Sequence, residues 1–339
     1  MAVKRISLGL QGGGAHGAFT WGVLDRLLQD ERLEIAAISG TSAGAMNGAA
    51  LKSGWIEGGR EGARKNLDWL WSQLGAVQDM RMPGWMTGMM PLPSEMHAAW
   101  EQAMPMTFVD TWSRMFSPYA YGPFYQNPLT SVAERFDYDR VCAKDGPKLF
   151  VGATNVRTGR MRIFSGDEVS TDSLLASACL PTLFKAVEID GEAYWDGGYT
   201  GNPALFPLFD DDLPSDILIV SINPMERHEV PITPQQIQNR INEISFNTSL
   251  LRELRSIGLV QKMTRNVDMP EGVFKPLHVH MIADDALMRD LSVTTKMVPS
   301  PAILNQLKEA GQVAAETFLS DCFDNIGACS SVDLLDMFD

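Results

Sequence analysis

The sequence has few basic residues for its length, and this shortage excludes a class of protein. Its 339 residues include 28 Lys and Arg against 42 Asp and Glu, which gives a formal net charge of −14. Because nucleic-acid-binding proteins usually present a basic face, we expect no nucleic-acid partner. The same charge disfavours strong attraction to an anionic membrane surface.

Cysteine and histidine are also scarce, with four and five residues scattered along the chain. No two cysteines form a CxxC pair, and no spacing resembles a zinc site, so we expect neither a metal nor another cofactor. The sequence lacks an apolar run long enough to span a bilayer or to form the core of a signal peptide. These shortages predict a cytoplasmic protein with reduced thiols.

What the chain does contain is a succession of strand and helix patterns. Residues 5–10 and 35–38 predict short buried strands, each followed by a glycine-rich loop and a helix-compatible segment. Further strands are predicted at 149–154, 161–165, 186–189, 217–222 and 277–282, and long helices at about 234–265 and 300–320. This order favours an α/β fold with a mainly parallel central sheet flanked by helices.

We expect a single domain over residues 1–339. Residues 75–127 differ from the rest, with nine methionines between Met80 and Met115, several tryptophans and prolines, and poor periodicity. We interpret this segment as a cap or insertion whose Met and Trp side chains form an adaptable apolar surface, with ordinary core packing as the alternative. Residues 234–339 should be mostly helical and packed on the domain, with a loose tail over the last dozen residues.

The first loop, in LGLQGGGAHG, places Gly12, Gly14 and Gly17 at GxGxxG spacing between a strand and a helix. Backbone amides at such a site attract a cofactor phosphate or a developing oxyanion. A dinucleotide site also needs an acidic residue at the end of the next strand. Here that strand ends in Ser39 and Gly40, so a dinucleotide site is disfavoured. A tight turn that only allows close packing stays open as an alternative.

The second loop, Gly40-Thr41-Ser42-Ala43-Gly44, matches the GxSxG pattern of a nucleophile elbow. A serine nucleophile needs a base within hydrogen-bond reach. In the chain order of α/β-hydrolases, Ser42, Asp196 and His280 would form a triad, with His278 as a further candidate. However, an α/β-hydrolase normally has several strand–helix units before its nucleophile, and here only one strand and one helix precede Ser42. Both histidines also lie inside a strand pattern rather than in a loop, which argues against the triad. Asp196, on a glycine-rich turn, is therefore the better candidate for the base.

Three motifs occur in order along the chain: GGGAHG at 12–17, GTSAG at 40–44 and DGG at 196–198. With them, the chain closely resembles the patatin-like phospholipase family over roughly residues 5–225. ATNVRTGR, ASACLPTLFKAVEIDG and YWDGGYTGNPAL are similar to the segments around that family's aspartate. The resemblance implies a three-layer α/β fold and a Ser–Asp dyad without a catalytic histidine.

By motif position, the resemblance implies that Ser42 is the nucleophile and Asp196 its base. The implied oxyanion hole consists of the backbone amides of Gly12, Gly13, Gly14 and, as a further candidate, Ala15. Gly40 and Gly44 would shape the elbow, and Gly17, Gly197 and Gly198 would support the loops. His16 stands where many members carry Arg or Lys, which implies a weaker positive field at the hole.

The resemblance thus predicts a lipase or phospholipase A-type hydrolase that cleaves carboxylic esters of lipids, with transient contact to a lipid surface. A Ser–His–Asp esterase using His280 and a non-catalytic lipid-binding protein remain alternatives. We further predict that Asp196 is partly desolvated, with Tyr194 and Trp195 as its walls, because an exposed carboxylate is a weak base for a serine hydroxyl. Asn202 and Pro203 should shape the turn that holds it.

Overall fold

The structure, a computed structural model, describes residues 3–76, 117–266, 275–291 and 293–338. Its centre is an eight-stranded sheet with the order β5-β6-β3-β2-β1-β7-β8, and β4 pairs with β3. The strands are β1 (Lys4–Leu10), β2 (Leu33–Thr41), β3 (Lys148–Asn155), β4 (Met161–Ser165), β5 (Val187–Ile189), β6 (Glu192–Asp196), β7 (Asp216–Val220) and β8 (His278–Ile282).

The middle of the sheet is parallel and one side is antiparallel. β1 pairs in parallel with β2 and β7, β2 pairs with β3, and β7 pairs with β8. β4 and β6 run antiparallel to β3, and β5 runs antiparallel to β6. Every residue of β7 is buried, as expected for a strand covered on both faces. The predicted fold class is confirmed.

Helices cover both faces and complete three layers. They are α1 (Ala18–Leu28), α2 (Ala43–Gly75), α3 (Thr130–Ala133), α4 (Tyr138–Val141), α5 (Thr171–Ser177), α6 (Pro234–Asn266), α7 (Asp285–Asp290), α8 (Val293–Met297) and α9 (Pro301–Asp321). α2 is kinked where Gly58 and Gly59 leave the helical conformation. Among the described residues, no helix is long and apolar enough to cross a membrane.

Side-chain alternation along β7 divides the core in two. Leu218 and Val220 belong to the larger cluster, which includes α1, α2 and α9. Ile217 and Ile219 point to the opposite face and pack with residues of α6, such as Leu250 and Leu254. Because successive strand residues face opposite sides, each strand anchors both layers.

The C-terminal part is mostly helical but also contributes an edge strand, β8, to the sheet. The predicted loose tail is wrong, because Leu334 is 2% exposed and packs into the second cluster. β6 is the short strand expected before the Asp196 turn, for which no bounds were predicted. The proposed cap at 75–127 lies mostly outside the described residues, which resume at Ser117, so its role stays a prediction.

Candidate active site

The register of the sheet brings the second and third motifs together. Thr41, the last residue of β2, pairs with Gly152 of β3. The neighbouring Ala153 pairs with Asp196, the last residue of β6, on the same side of β3 as β2, because β4 occupies the opposite side. The glycine loop follows β1, on the opposite side of β2. All three motifs therefore meet at the carboxyl ends of β1 and β2, and ligands of open α/β sheets usually bind at the carboxyl ends of the strands.

Ser42 occupies the sharp turn between β2 and α2. Its backbone has φ 54° and ψ −120°, in the left-handed region that non-glycine residues rarely adopt. Its N–H donates to Ser177 Oγ at 2.9 Å. A Cβ on Gly40 would lie 2.6 Å from the backbone of Gly44, so the turn closes only with glycine there. The strained, half-buried serine has the geometry of a nucleophile elbow.

Asp196 is buried, with 2% of its surface exposed. Burial raises the pKa of its carboxyl group to about 7, although hydrogen bonds from Gly198 N–H and the Ser42 side chain oppose that rise. The Gly198 bond measures 2.7 Å. Ser42 thus shares its site with a carboxylate whose basicity is raised by desolvation.

Ser42 and Asp196 line a small pocket of about 40 Å³. Its remaining lining residues are Gly12, Gly13, Gly14, Leu180, Asn202, Asn223, Phe246, Lys296 and Met297. The apolar walls are therefore Leu180, Phe246 and Met297. Tyr194 and Trp195, the expected walls, are not part of the lining, and Tyr194 packs edge-on against Phe164 at 5.5 Å.

The glycine loop offers two free amides rather than three. Gly12 N–H donates to Asn202 Oδ1 at 2.6 Å, so it cannot also face an oxyanion, and the prediction for Gly12 needs this correction. Within the described ranges, neither Gly13 N–H nor Gly14 N–H has an acceptor. Ala15 is fully buried and is not part of the pocket lining. The pocket can therefore offer the amides of Gly13 and Gly14 to a negative charge.

Two asparagines hold the loop in place. Gly12 O accepts hydrogen bonds from Asn202 Nδ2 at 3.3 Å and from Asn223 Nδ2 at 2.9 Å. The backbone N–H of Asn223 donates to Gln11 Oε1 at 3.0 Å. Asn202 was predicted only to shape the aspartate turn, and here it also connects that turn to the glycine loop. Asn223 and Gln11 were missed, because a polar residue at a strand end carries no motif.

His16 is buried and does not line the pocket that contains Ser42 and Asp196. Its Nε2 lies 2.7 Å from Thr295 Oγ1. Burial, and secondarily the charge of Lys296, lowers the pKa of the imidazole well below its usual range. The ring is therefore neutral near pH 7 and brings no positive charge to the loop.

The two strand histidines lie far from Ser42. They belong to β8, which β1 and β7 separate from β2. His280 pairs with Leu218 in mid-strand, and its Nε2 lies 3.0 Å from Asp216 Oδ1. Its Nδ1 lies 3.1 Å from Ser331 Oγ. Both ring nitrogens thus have local partners at the edge of the sheet, so the structure does not bring together a Ser42–Asp196–His280 triad.

Cys179, the nearest thiol, supports the aspartate rather than competing with Ser42. Its carbonyl oxygen accepts the Asp196 N–H at 2.8 Å. Burial raises the pKa of the thiol to about 12, so it is not a nucleophile at neutral pH. In the part of the chain that the structure describes, no group of three or more His, Cys, Asp or Glu residues could hold a metal ion.

Comparison with known proteins gives one family match. The family model described as patatin-like phospholipase matches residues 8–209. No curated protein matches the chain. Among solved structures, the chain is similar to VipD from Legionella pneumophila with a TM-score of 0.42 and 15% sequence identity, over 94% of this chain and 67% of that one.

Proposed function

We propose that this chain, which belongs to the patatin-like phospholipase family of hydrolytic lipid esterases, cleaves lipid carboxylic esters through a Ser42–Asp196 dyad. Family membership rests on a match that covers more than half of the sequence, and it indicates a lipid ester hydrolase in general terms. The dyad, the oxyanion hole and the phospholipase A-type or lipase specificity are the proposal.

In the proposed reaction, the Asp196 carboxylate accepts the Ser42 proton while Ser42 Oγ attacks the ester carbonyl. The carbonyl oxygen becomes an oxyanion and receives hydrogen bonds from the Gly13 and Gly14 amides. Collapse of this intermediate breaks the ester bond, and the leaving alcohol takes the proton from Asp196. Water then attacks the acyl-enzyme, and Asp196 again accepts a proton. When the bond between the acyl carbon and Ser42 Oγ breaks, Asp196 returns this proton to Ser42 Oγ and the fatty acid leaves.

One observation carries the proposal: a strained serine lines the same small pocket as a buried carboxylate and two unused backbone amides. A serine in an ordinary turn would not need φ 54°. Asp196 is buried without a cationic partner, and an isolated charge is costly to desolvate. Strain and desolvation at one place are typical of reacting groups.

The test is covalent labelling with a fluorophosphonate probe, together with hydrolysis of long-chain and short-chain p-nitrophenyl esters. Ser42→Ala should abolish both signals, and Asp196→Asn should reduce both strongly. Ser39→Ala is the matched control, because Ser39 is buried on the same strand and only donates to Ala204 O at 2.5 Å. Labelling that persists in folded Ser42→Ala would remove the serine from the mechanism.

Two further parts of the proposal concern the location of the protein in the cell and its contact with lipid surfaces. We infer a cytoplasmic location from the four cysteines, which are all free thiols in the structure. We also infer a transient contact with a lipid surface, because the family's substrates are lipid esters. Fractionation of cells and sedimentation with zwitterionic vesicles test these two statements separately.

A further inference from the structure

A lysine from the C-terminal part of the chain reaches the proposed active site. Lys296 belongs to α8, outside residues 8–209 that the family model matches. Among the pocket-lining residues that the structure describes, it is the one with a positive charge. Its position in the sequence gives no hint of this contact, since Lys296 lies 252 positions after Gly44, the last residue of the second motif.

The backbone of α8 packs directly on the glycine loop. A Cβ on Gly14 would collide with the carbonyl oxygen of Lys296, so this contact requires glycine at that position. Gly14 also has φ 59°, in the left-handed region. Lys296 is thereby fixed against the loop that offers the free amides, and its side chain is half-buried.

A hydrogen-bond chain connects the lysine ammonium to the loop. Lys296 Nζ donates to Asn223 Oδ1 at 2.8 Å, and Asn223 Nδ2 donates to Gly12 O at 2.9 Å. The orientation of the Asn223 amide is fixed by its partners, because the ammonium only donates and the carbonyl only accepts.

Gly12 O and Gly13 N–H belong to the same peptide group. Donation to its carbonyl polarises the peptide, and hydrogen bonds in such chains strengthen one another. The Gly13 N–H should therefore become a stronger donor to an oxyanion.

The charges around Lys296 leave its field largely uncancelled. Glu243 of α6 faces it, but Glu243 already pairs with Arg227 at 2.6 Å and Arg240 at 3.3 Å. No carboxylate of the described residues lies within 4.0 Å of Nζ. The remaining titratable groups around it are the neutral His16 and, across the pocket, Asp196.

We propose that Lys296 is a positioning residue of the oxyanion hole, which acts through Asn223 on the Gly12–Gly13 peptide and replaces the charge that His16 does not supply. This inference rests on the proposed function. Burial lowers the pKa of Lys296 to about 8, although Glu243 opposes this shift and Arg227 adds to it. The ammonium is therefore mostly present at pH 7 and is lost as the pH rises through about 8.

The test compares Lys296→Met and Lys296→Arg with the native chain on a small neutral ester, p-nitrophenyl butyrate, from about pH 6 to about pH 9.5. We expect Lys296→Met to lower kcat about tenfold with little change in KM, less than the ~10²–10³ contributed by a direct oxyanion donor. The native chain should lose kcat above about pH 8, and Lys296→Met should lack that alkaline decline. Lys296→Arg should retain most of kcat and move the decline to higher pH.

Lys52→Met is the matched control. Lys52 is 2% exposed, and its Nζ donates to Asp145 O at 2.6 Å, away from the pocket. This variant also loses a buried ammonium, and its kcat and pH profile should match the native chain. An unchanged kcat and alkaline decline in folded Lys296→Met overturns the inference. If Lys296→Met does not fold, an alkaline decline that fails to move in Lys296→Arg overturns it.

Failure of this inference can be told apart from failure of the proposed function. If the native chain does not hydrolyse the ester or react with the fluorophosphonate probe, the proposed function fails first. If the native chain is active and Lys296→Met behaves like Lys52→Met, only the role of Lys296 is wrong.

Discussion

Replacing the buried Asp196 by asparagine should make the protein more stable while it removes the proposed base. Asparagine has nearly the same shape, and its Oδ1 can still accept the Gly198 N–H that Asp196 accepts at 2.7 Å. The substitution removes a charge. Above its pKa, the native Asp196 carboxyl group is ionised in a buried site, whereas asparagine is neutral at every pH.

The size and sign of this effect follow from the carboxyl pKa. Folding raises it from 3.8 to about 7, with burial as the main cause. Such a group stabilises the fold fully below pH 3.8, and this contribution is lost as the pH rises through about 7. The difference corresponds to at most about 4 kcal/mol of unfolding free energy. The stability advantage of Asp196→Asn should thus grow from about 2 kcal/mol near pH 5 to about 4 kcal/mol above pH 7.

Urea denaturation of the native chain and Asp196→Asn, from about pH 5 to about pH 8.5, measures this advantage. For a chain of this length, about 4 kcal/mol corresponds to roughly 6 °C in Tm. The same carboxyl group should set the acid side of the rate profile, so kcat/KM of the native chain should fall tenfold per pH unit well below about 7. A variant that is equally stable at all pH values, or a rate that stays flat down to pH 5, would refute the desolvation argument.

Three further substitutions test the frame of the site. Gly44→Ala should lower the free energy of unfolding by several kcal/mol in urea denaturation, because the new Cβ would collide with the Leu10 carbonyl oxygen. Gly58→Ala should change it little, because the space around Gly58 is open. Asn202→Ala should lower both kcat and stability, the latter by about 1–3 kcal/mol, because Gly12 N–H is left unpaired; unchanged values would show that this bond is dispensable. His280→Ala should lose about 1–3 kcal/mol through its bond to Asp216 while it keeps fluorophosphonate labelling; loss of labelling in the folded variant would revive the triad.

The parallel part of the fold could be predicted because its strands are buried on both faces. β7 is apolar after Asp216, β1 is buried from Ile6 to Leu10, and glycine-rich loops mark where β1 and β2 end. The bounds of β6 were not predicted because EAYWD is short, mixed in polarity and continuous with the DGG turn. Leu334 was assigned to a loose tail because its neighbours are acidic, and a single buried leucine among them produces no recognisable pattern.

The proposed reacting groups of the candidate site could be named from the sequence, but their supporting contacts could not. Ser42 and Asp196 lie in motifs whose glycines leave a pattern in the sequence. Asn223 and Lys296 are ordinary polar residues, and they reach the pocket because β7 lies beside β1 and α8 packs on the glycine loop. The desolvation of Asp196 was predicted correctly, whereas its walls were not, because Leu180, Phe246 and Met297 come from three distant segments.

The order in which the chain is synthesised gives the packing of α8 on the glycine loop a further consequence. Ser42 and Asp196 leave the ribosome well before Asn223 and Lys296, which hold the loop from the other side. A nascent chain that ends near residue 209 therefore contains the proposed reacting side chains and Asn202, but not Asn223 and Lys296, which complete the contacts around the Gly12–Gly13 peptide. We expect ester cleavage to begin only once α6 and α8 have docked, so that the order of synthesis itself delays the appearance of a lipid-cleaving activity.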